Sequence, residues 1–256
     1  MGSKSGPYLM QCKYLLRLSR CAIIRAFMID KTFASAEAAL ADIPDGATIM
    51  IGGFGNAGMP AALIDGLIAQ GARDLTVVNN NAGNADAGLA ALMKAKRVRK
   101  ILCSFPRQAD SWHFDALYRA GEIELELVPQ GTLAERIRAA GAGIGAFFTP
   151  TAYGTLLAEG KETRRIADRD YVLEYPIHAD YALIKADRAD RWGNLVYRKT
   201  ARNFAPIMAS AAKCTVVQVR EKVQLGALDP EVIVTPGIFV NRIVQAQAVK
   251  PLREAA

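Results

Sequence analysis

Residues 52–60, GGFGNAGMP, place four glycines within seven positions. Gly53, Gly55 and Gly58 satisfy G-x-G-x-x-G, which alone predicts a pyrophosphate held at a helix N-terminus. Glycines this dense exceed what a turn needs and predict close approach by a ligand or by another backbone. Exposed N–H groups along Gly52, Gly53, Phe54, Gly55, Asn56, Ala57 and Gly58 suit a phosphate, a carboxylate or a developing oxyanion. A tight strand-to-helix turn with no ligand accounts for the same glycines.

A dinucleotide site also needs an acid at the end of its second strand, to hold ribose hydroxyls. Here that strand, LTVVN, runs into Asn79, Asn80 and Asn81, and Asp74 stands at its beginning. Other chemistry is sparsely supplied. His113 and His178 are the only histidines, too few for a three-histidine metal site, and no G-x-S-x-G accompanies them. The cysteines Cys12, Cys21, Cys103 and Cys214 form no C-x-x-C, so neither zinc nor a redox pair is signalled. Isolated thiols suit a reducing cytoplasm. Glu135 reads as an acid in an early helix turn. Glu174, in an apolar strand context, reads as a partnered structural acid, or else as a buried functional one.

The elements that must position these groups alternate. ATIMIG (47–52) is an apolar run bounded by Asp45-Gly46 and Gly52-Gly53, as a buried parallel strand requires. A helix follows over 61–71, with Pro60 at its first position and Gly71 past its end. Strands at 75–79, 100–105 and 123–128 alternate with helices at 86–95, 111–120 and 132–140, after an opening helix at 33–42. Beyond them, 171–176, 181–186, 195–198 and 214–219 read as strands and 203–212 as a helix. The charged stretches 159–170 and 187–194 read as solvated loops. The expected architecture is one α/β domain: a mostly parallel open sheet with helices on both faces.

The chain has 256 residues and a net charge of +7, of which Lys4, Lys13, Arg17, Arg20 and Arg25 supply five. Residues 1–27 contain no acid. They are read as a basic leader outside the fold, with 28–256 as the domain. A transit peptide, a vector-derived start and a native amphipathic arm are the other readings. The favoured one is translation from a start placed too early, with Met28 the true start. No run of eighteen apolar residues and no basic stripe with interleaved aromatics occurs, so neither membrane nor nucleic acid is expected as a partner.

DGATIMIGGFGNAGMP (45–60) resembles, at every fixed position, a signature of family I coenzyme A transferases. The signature belongs to the one of their two subunit types that lacks the nucleophile. NNAG (80–83), SFPRQADS (104–111), VPQGTLAERIRAAGAG (128–143), FFTPTAYGTLLAEGKETR (147–164) and DRWGNLVYRKTARNF (190–204) look like further blocks of that subunit type. Asn79 is a departure, standing where a serine often precedes NNAG. The blocks look most like bacterial members that use 3-oxoadipate. The resemblance implies CoA transfer from succinyl-CoA through an acyl-glutamyl anhydride and a glutamyl thioester. It also implies CoA thioester as substrate, no bound cofactor and no metal. The nucleophilic glutamate would belong to a Ser-Glu-Asn-Gly block of a partner subunit, the second type, and this chain lacks that block. Two copies of each type are expected, in the cytoplasm. Asn80 and Gln130 match positions near the reacting carboxylate, where an amide donates without titrating. Turn and cap chemistry are their alternatives.

A dicarboxylate acceptor also needs a cation for its unreacted end, and Arg107 after a strand end is the candidate, unless it pairs with an acid such as Asp110. Acetoacetate or another short 3-oxoacid is the alternative acceptor. A nicotinamide-dependent oxidoreductase and a non-catalytic ligand sensor are the competing classes.

Overall fold

The computed structural model describes residues 29–246. The chain divides into two units, Met1–Asp30 and Lys31–Ala256. The basic leader, residues 1–27, lies outside the described residues.

The first half of the larger unit is a run of strand–helix units: β1 (Thr32–Phe33), α1 (Ala36–Leu40), β2 (Thr48–Ile51), α2 (Ala61–Gln70), β3 (Leu75–Val78), α3 (Leu89–Lys94), β4 (Val98–Cys103), α4 (Trp112–Arg119), β5 (Glu124–Leu127) and α5 (Gln130–Gly141). Successive strand residues point to opposite faces, and both faces here are apolar because helices cover both. Ile49 and Ile51 join one core with Leu63, Ile64 and Leu67 of α2. Met50 joins the other with Leu133 and Ile137 of α5. Each such fully buried side chain contributes about 1.5–3 kcal/mol over its exposed state.

Pro60 sits one position earlier than expected. It precedes α2, and its carbonyl accepts from Leu63 and Ile64, so it opens the helix by its oxygen. Gly71 closes α2 at φ +100°, with its N–H on the Leu67 carbonyl.

The second half contains β6 (Phe147–Thr149), β7 (Thr163–Ile166), β8 (Arg169–Glu174), β9 (Ala179–Ala189), β10 (Leu195–Val196), α6 (Ala205–Ala211), β11 (Ala212–Lys222) and β12 (Arg242–Gln245). The main sheet runs β1-β12-β11-β9-β2-β3-β4-β5, every neighbouring pair parallel. Short β10 adds antiparallel to β9. The expected α/β sheet with helices on both faces is the observed architecture: α1 to α4 pack on one face, α5 and α6 on the other.

Three details differ from what the residue pattern predicts. The run 171–176 is a strand, β8, but it forms a separate antiparallel sheet with β6 and β7. The stretch 159–170 is solvated as expected, yet Thr163–Ile166 is a strand whose four residues are all exposed. β9 and β11 each extend to eleven residues because they pair with one another from Ala179↔Ala212 to Ala189↔Lys222.

All the parallel strands end at one edge. From β2 the chain moves outward to β3, β4 and β5 on one side, while β9, β11 and β12 lie on the other. Ligands of such sheets bind at the carboxyl ends, where the order reverses.

Candidate active site

The end of β3 delivers three asparagines in succession, and each has a different task. Asn79 is fully buried. Its Nδ2 donates to the Ile51 carbonyl at 2.6 Å, tying β3 to the end of β2, and its Oδ1 accepts from the Asn81 N–H at 2.9 Å. Asn81 Oδ1 then accepts from the Gly83 N–H at 2.9 Å. The departure at Asn79 therefore has a structural function, bracing the base of the glycine loop.

Asn80 is 4% exposed. Its carbonyl accepts from the N–H groups of Ser104 and Phe105. Its Oδ1 accepts from Ser104 Oγ at 2.7 Å and from Gln130 Nε2 at 2.8 Å. The two residues expected from sequence thus meet directly, although fifty positions separate them. With both lone-pair directions of Oδ1 taken, Asn80 Nδ2 is left as a donor with no acceptor among the described residues. Gln130 opens α5, so the cluster also lies at the positive end of a twelve-residue helix. Ser104 is a site residue that the sequence does not announce. A serine after a strand suggests turn chemistry, and nothing local shows that it reaches back to Asn80.

The glycine loop makes its reversal by the paired bonds Phe54 N–H to Ala57 carbonyl and Ala57 N–H to Phe54 carbonyl, 2.9 and 3.2 Å. Gly53, Gly55 and Gly58 all have positive φ, +126°, +57° and +78°. At Gly58 the close approach comes from the protein itself: a Cβ there would lie 2.6 Å from the Ala201 carbonyl oxygen. Asn203 Nδ2 clamps the same contact by donating to the Ala57 carbonyl at 2.9 Å and to the Thr200 carbonyl at 2.8 Å. Gly55 faces open space, with nothing within 4 Å of a Cβ. The N–H groups of Gly53, Gly55, Asn56 and Gly58 have no acceptor among the described residues. Phe54 within the loop and Phe105 next to Asn80 are each about half exposed.

The other candidates are engaged elsewhere. Arg107 pairs through Nε with Asp115 and lies 5.7 Å over Tyr118. Glu174 is 2% exposed and accepts from Lys161 Nζ at 2.7 Å, with Arg136 Nε 3.7 Å away; it is the partnered acid. Glu135 pairs with Arg138, and His113 with Asp86 at 2.8 Å. Burial pushes the Cys103 thiol up to about 12, so it is a core hydrophobe and no nucleophile. Among the described residues no group of three His, Cys, Asp or Glu side chains is placed to hold a metal ion, and no helix is long and apolar enough to cross a membrane.

Residues 33–246 match the family model described as coenzyme A transferase. The chain belongs to the coenzyme A transferase family. It is 70% identical over 217 residues to one of the subunits of 3-oxoadipate CoA-transferase from Pseudomonas putida, covering 85% of this chain and 94% of that one. It is 66% identical over 221 residues to the subunit of the same name from Acinetobacter baylyi, covering 86% and 97%. In fold it is similar to an acyl-CoA transferase apoenzyme from Escherichia coli O157:H7, with a TM-score of 0.77 at 23% identity. There the match covers 85% of this chain and 47% of that one, so this chain spans about half the length of that solved protein.

For a CoA-transferase, the missing ribose acid after β3 is no defect. What stands there is a fixed amide donor beside a loop of free N–H groups.

Proposed function

We propose that this chain is the non-nucleophilic subunit of a CoA-transferase that moves CoA from succinyl-CoA to 3-oxoadipate. The observation that carries the reading is the Asn80–Gln130 hydrogen bond at the carboxyl edge of the sheet, in a chain so similar to two 3-oxoadipate CoA-transferase subunits. The chemistry is the one the family resemblance implies. A glutamate carboxylate of the partner chain attacks the succinyl thioester and expels CoA thiolate, giving an acyl-glutamyl anhydride. The thiolate then attacks the glutamyl carbonyl, succinate leaves, and the second acid reverses the sequence.

Each attack places negative charge on a carbonyl oxygen. The Asn80 Nδ2 group and the free N–H groups of the 52–58 loop meet that charge as neutral, prearranged donors. Gln130 and Ser104 hold the Asn80 amide in place. Residues 52–58 also shape the acyl-CoA pocket; Arg107, the sequence candidate for the distal carboxylate, could hold it only by sharing its guanidinium with Asp115, which leaves room for another cation to take that role. The chemistry needs no metal and no redox cofactor. We assign the enzyme to the cytoplasm, with two copies of each of its two subunit types, in the catabolism of aromatic compounds by way of 3-oxoadipate. Residues 1–27 are dispensable in this reading.

The test is succinyl-CoA-dependent transfer to 3-oxoadipate by the purified chain, alone and mixed with the glutamate-bearing partner. Activity should require the mixture. Robust transfer by the single chain would place the nucleophile here and overturn the reading. Removal of residues 1–27 should leave the melting temperature and the activity of the complex unchanged.

A further inference from the structure

A cavity of about 600 Å³ opens beside the glycine loop, on the β9 side of the sheet, and apart from Ala57 of that loop the chemistry above gives its lining no role. Its floor comes from two paired strands. Gln218 of β11 lies opposite Lys185 of β9, and two residues further along Arg220 and Asp187 share their face. Its wall is the segment Tyr197–Ala201, and Ala57 of the glycine loop closes one side.

The charge is one-sided. Lys185, Arg198, Lys199 and Arg220 line the cavity against one carboxylate, Asp187. That carboxylate is already held by Arg220 through two bonds of 2.8 and 3.2 Å. Lys185 and Lys199 form no ion pair among the described residues, and Arg198 acts on Asp187 only from beyond salt-bridge distance. Three cations around one cavity repel one another, and an anion between them removes that cost.

Two further observations mark the cavity as built. Gln218 is 7% exposed, and its Oε1 accepts from the Ala62 N–H at the start of α2. Its Nε2 therefore faces the other way, with no acceptor among the described residues although Gln218 lines the cavity. Lys199 stands at φ +51°, a left-handed conformation that non-glycine residues disfavour. Such strain persists only where the surroundings impose it. Here the Asn203 clamp on Ala57 and Thr200 fixes the turn.

We infer that this cavity is an anion subsite, in which Arg198 and Lys199, with Lys185 and Gln218 Nε2 behind them, bind a charged, non-reacting group of the substrate. The inference rests on the proposed CoA-transferase reading. Carboxylate and phosphate oxygens share the required chemistry. The source is either the distal carboxylate of the acyl group or a phosphate of the CoA end.

The test is the double variant Arg198→Ala/Lys199→Ala, both residues being exposed, in the complex with the glutamate-bearing partner. If the distal carboxylate sits here, kcat/KM should fall roughly ten- to a hundredfold for 3-oxoadipate but stay within about twofold for acetoacetate. If a phosphate sits here, both acceptors should lose equally with succinyl-CoA and neither with succinyl-pantetheine, which lacks the phosphates. Less than a twofold change throughout, or an equal loss with every substrate pair, overturns the subsite. An arm without turnover separates this from failure of the proposed reaction: calorimetric titration of the full chain with adipate and with pyrophosphate. The unaltered chain should bind one of them, and the double variant at least tenfold more weakly. No binding of either anion by the unaltered chain also overturns the inference.

Discussion

The Asn80 cluster and the glycine loop adjoin at the sheet edge, yet they are held in opposite ways. Asn80, which follows β3, is positioned by side chains from two other connections: Ser104 after β4 and Gln130 at the start of α5. The glycine loop is positioned by backbone, with Ala201 against Gly58 and the Asn203 clamp on Ala57. The motif that draws the eye in the sequence is therefore partly explained by packing. The proposed oxyanion donor is a single buried amide within a triplet of asparagines.

The sharpest test of that contrast is Asn80→Ala in the complex of both subunit types. Loss of one prearranged oxyanion donor should lower kcat by about 10²–10³, or about 3–4 kcal/mol. Steady-state transfer from succinyl-CoA checks it, with the melting temperature as control. A loss confined to KM would remove Asn80 from the transition state.

Gly58→Ala comes next and should act on folding. The new methyl meets the Ala201 carbonyl at 2.6 Å, at a φ of +78° that L residues disfavour. Overpacking and the left-handed conformation together should cost about 2–4 kcal/mol. In a unit of this size that lowers the melting temperature by about 5–15 °C. Gly55→Val is the counterpart. Its Cβ meets open space, so only the backbone penalty of about 1–2 kcal/mol applies, while turnover should suffer more because the branched side chain fills the acyl-CoA side of the loop. Equal melting curves for the two variants would erase the distinction between packing and ligand glycines.

Legibility follows the same divide. The strands β2 and β3 can be read because strands buried on both faces are apolar runs, and glycine or asparagine marks their ends, while β4 shows only its apolar half, Ile101–Cys103. β7 cannot. Its residues Thr163–Ile166 bury nothing, and only antiparallel pairing with β8 makes them a strand. The ends of β9 beyond 181–186 carry Asp180, Asp187 and Arg188 and are strand only because they pair with the two ends of β11 and with β10. In the site, Asn80 and Gln130 are visible only through the family blocks, since nothing in either local sequence announces a contact across fifty residues. Arg107 shows the converse. Its position after β4 leaves it open to a ligand carboxylate or to a neighbouring acid such as Asp110, and the tertiary fold supplies the acid from α4, Asp115.

Ser104→Ala should give the smallest effect, and it asks whether the Asn80 amide is held or merely present. Ser104 Oγ has one proton and two acceptors within reach, Asn80 Oδ1 at 2.7 Å and the Asn80 carbonyl at 3.1 Å. The shorter contact takes the proton, which leaves the Gln130 bond as the second support of Oδ1. Removing the hydroxyl strands no buried group, because Oδ1 keeps Gln130 and the carbonyl keeps two backbone N–H donors. The stability loss should therefore be a single ordinary hydrogen bond, about 0.5–1.5 kcal/mol. The Asn80 side chain, though, becomes free to rotate about its remaining anchor, and misaimed donors lose transition-state stabilisation before they lose substrate binding. So kcat should fall about tenfold with KM for succinyl-CoA nearly unchanged, and Ser104→Thr, which restores the hydroxyl, should recover most of it. A Thr variant as slow as the Ala variant would mean that strand-end packing, and not the bond to Asn80, is what Ser104 provides.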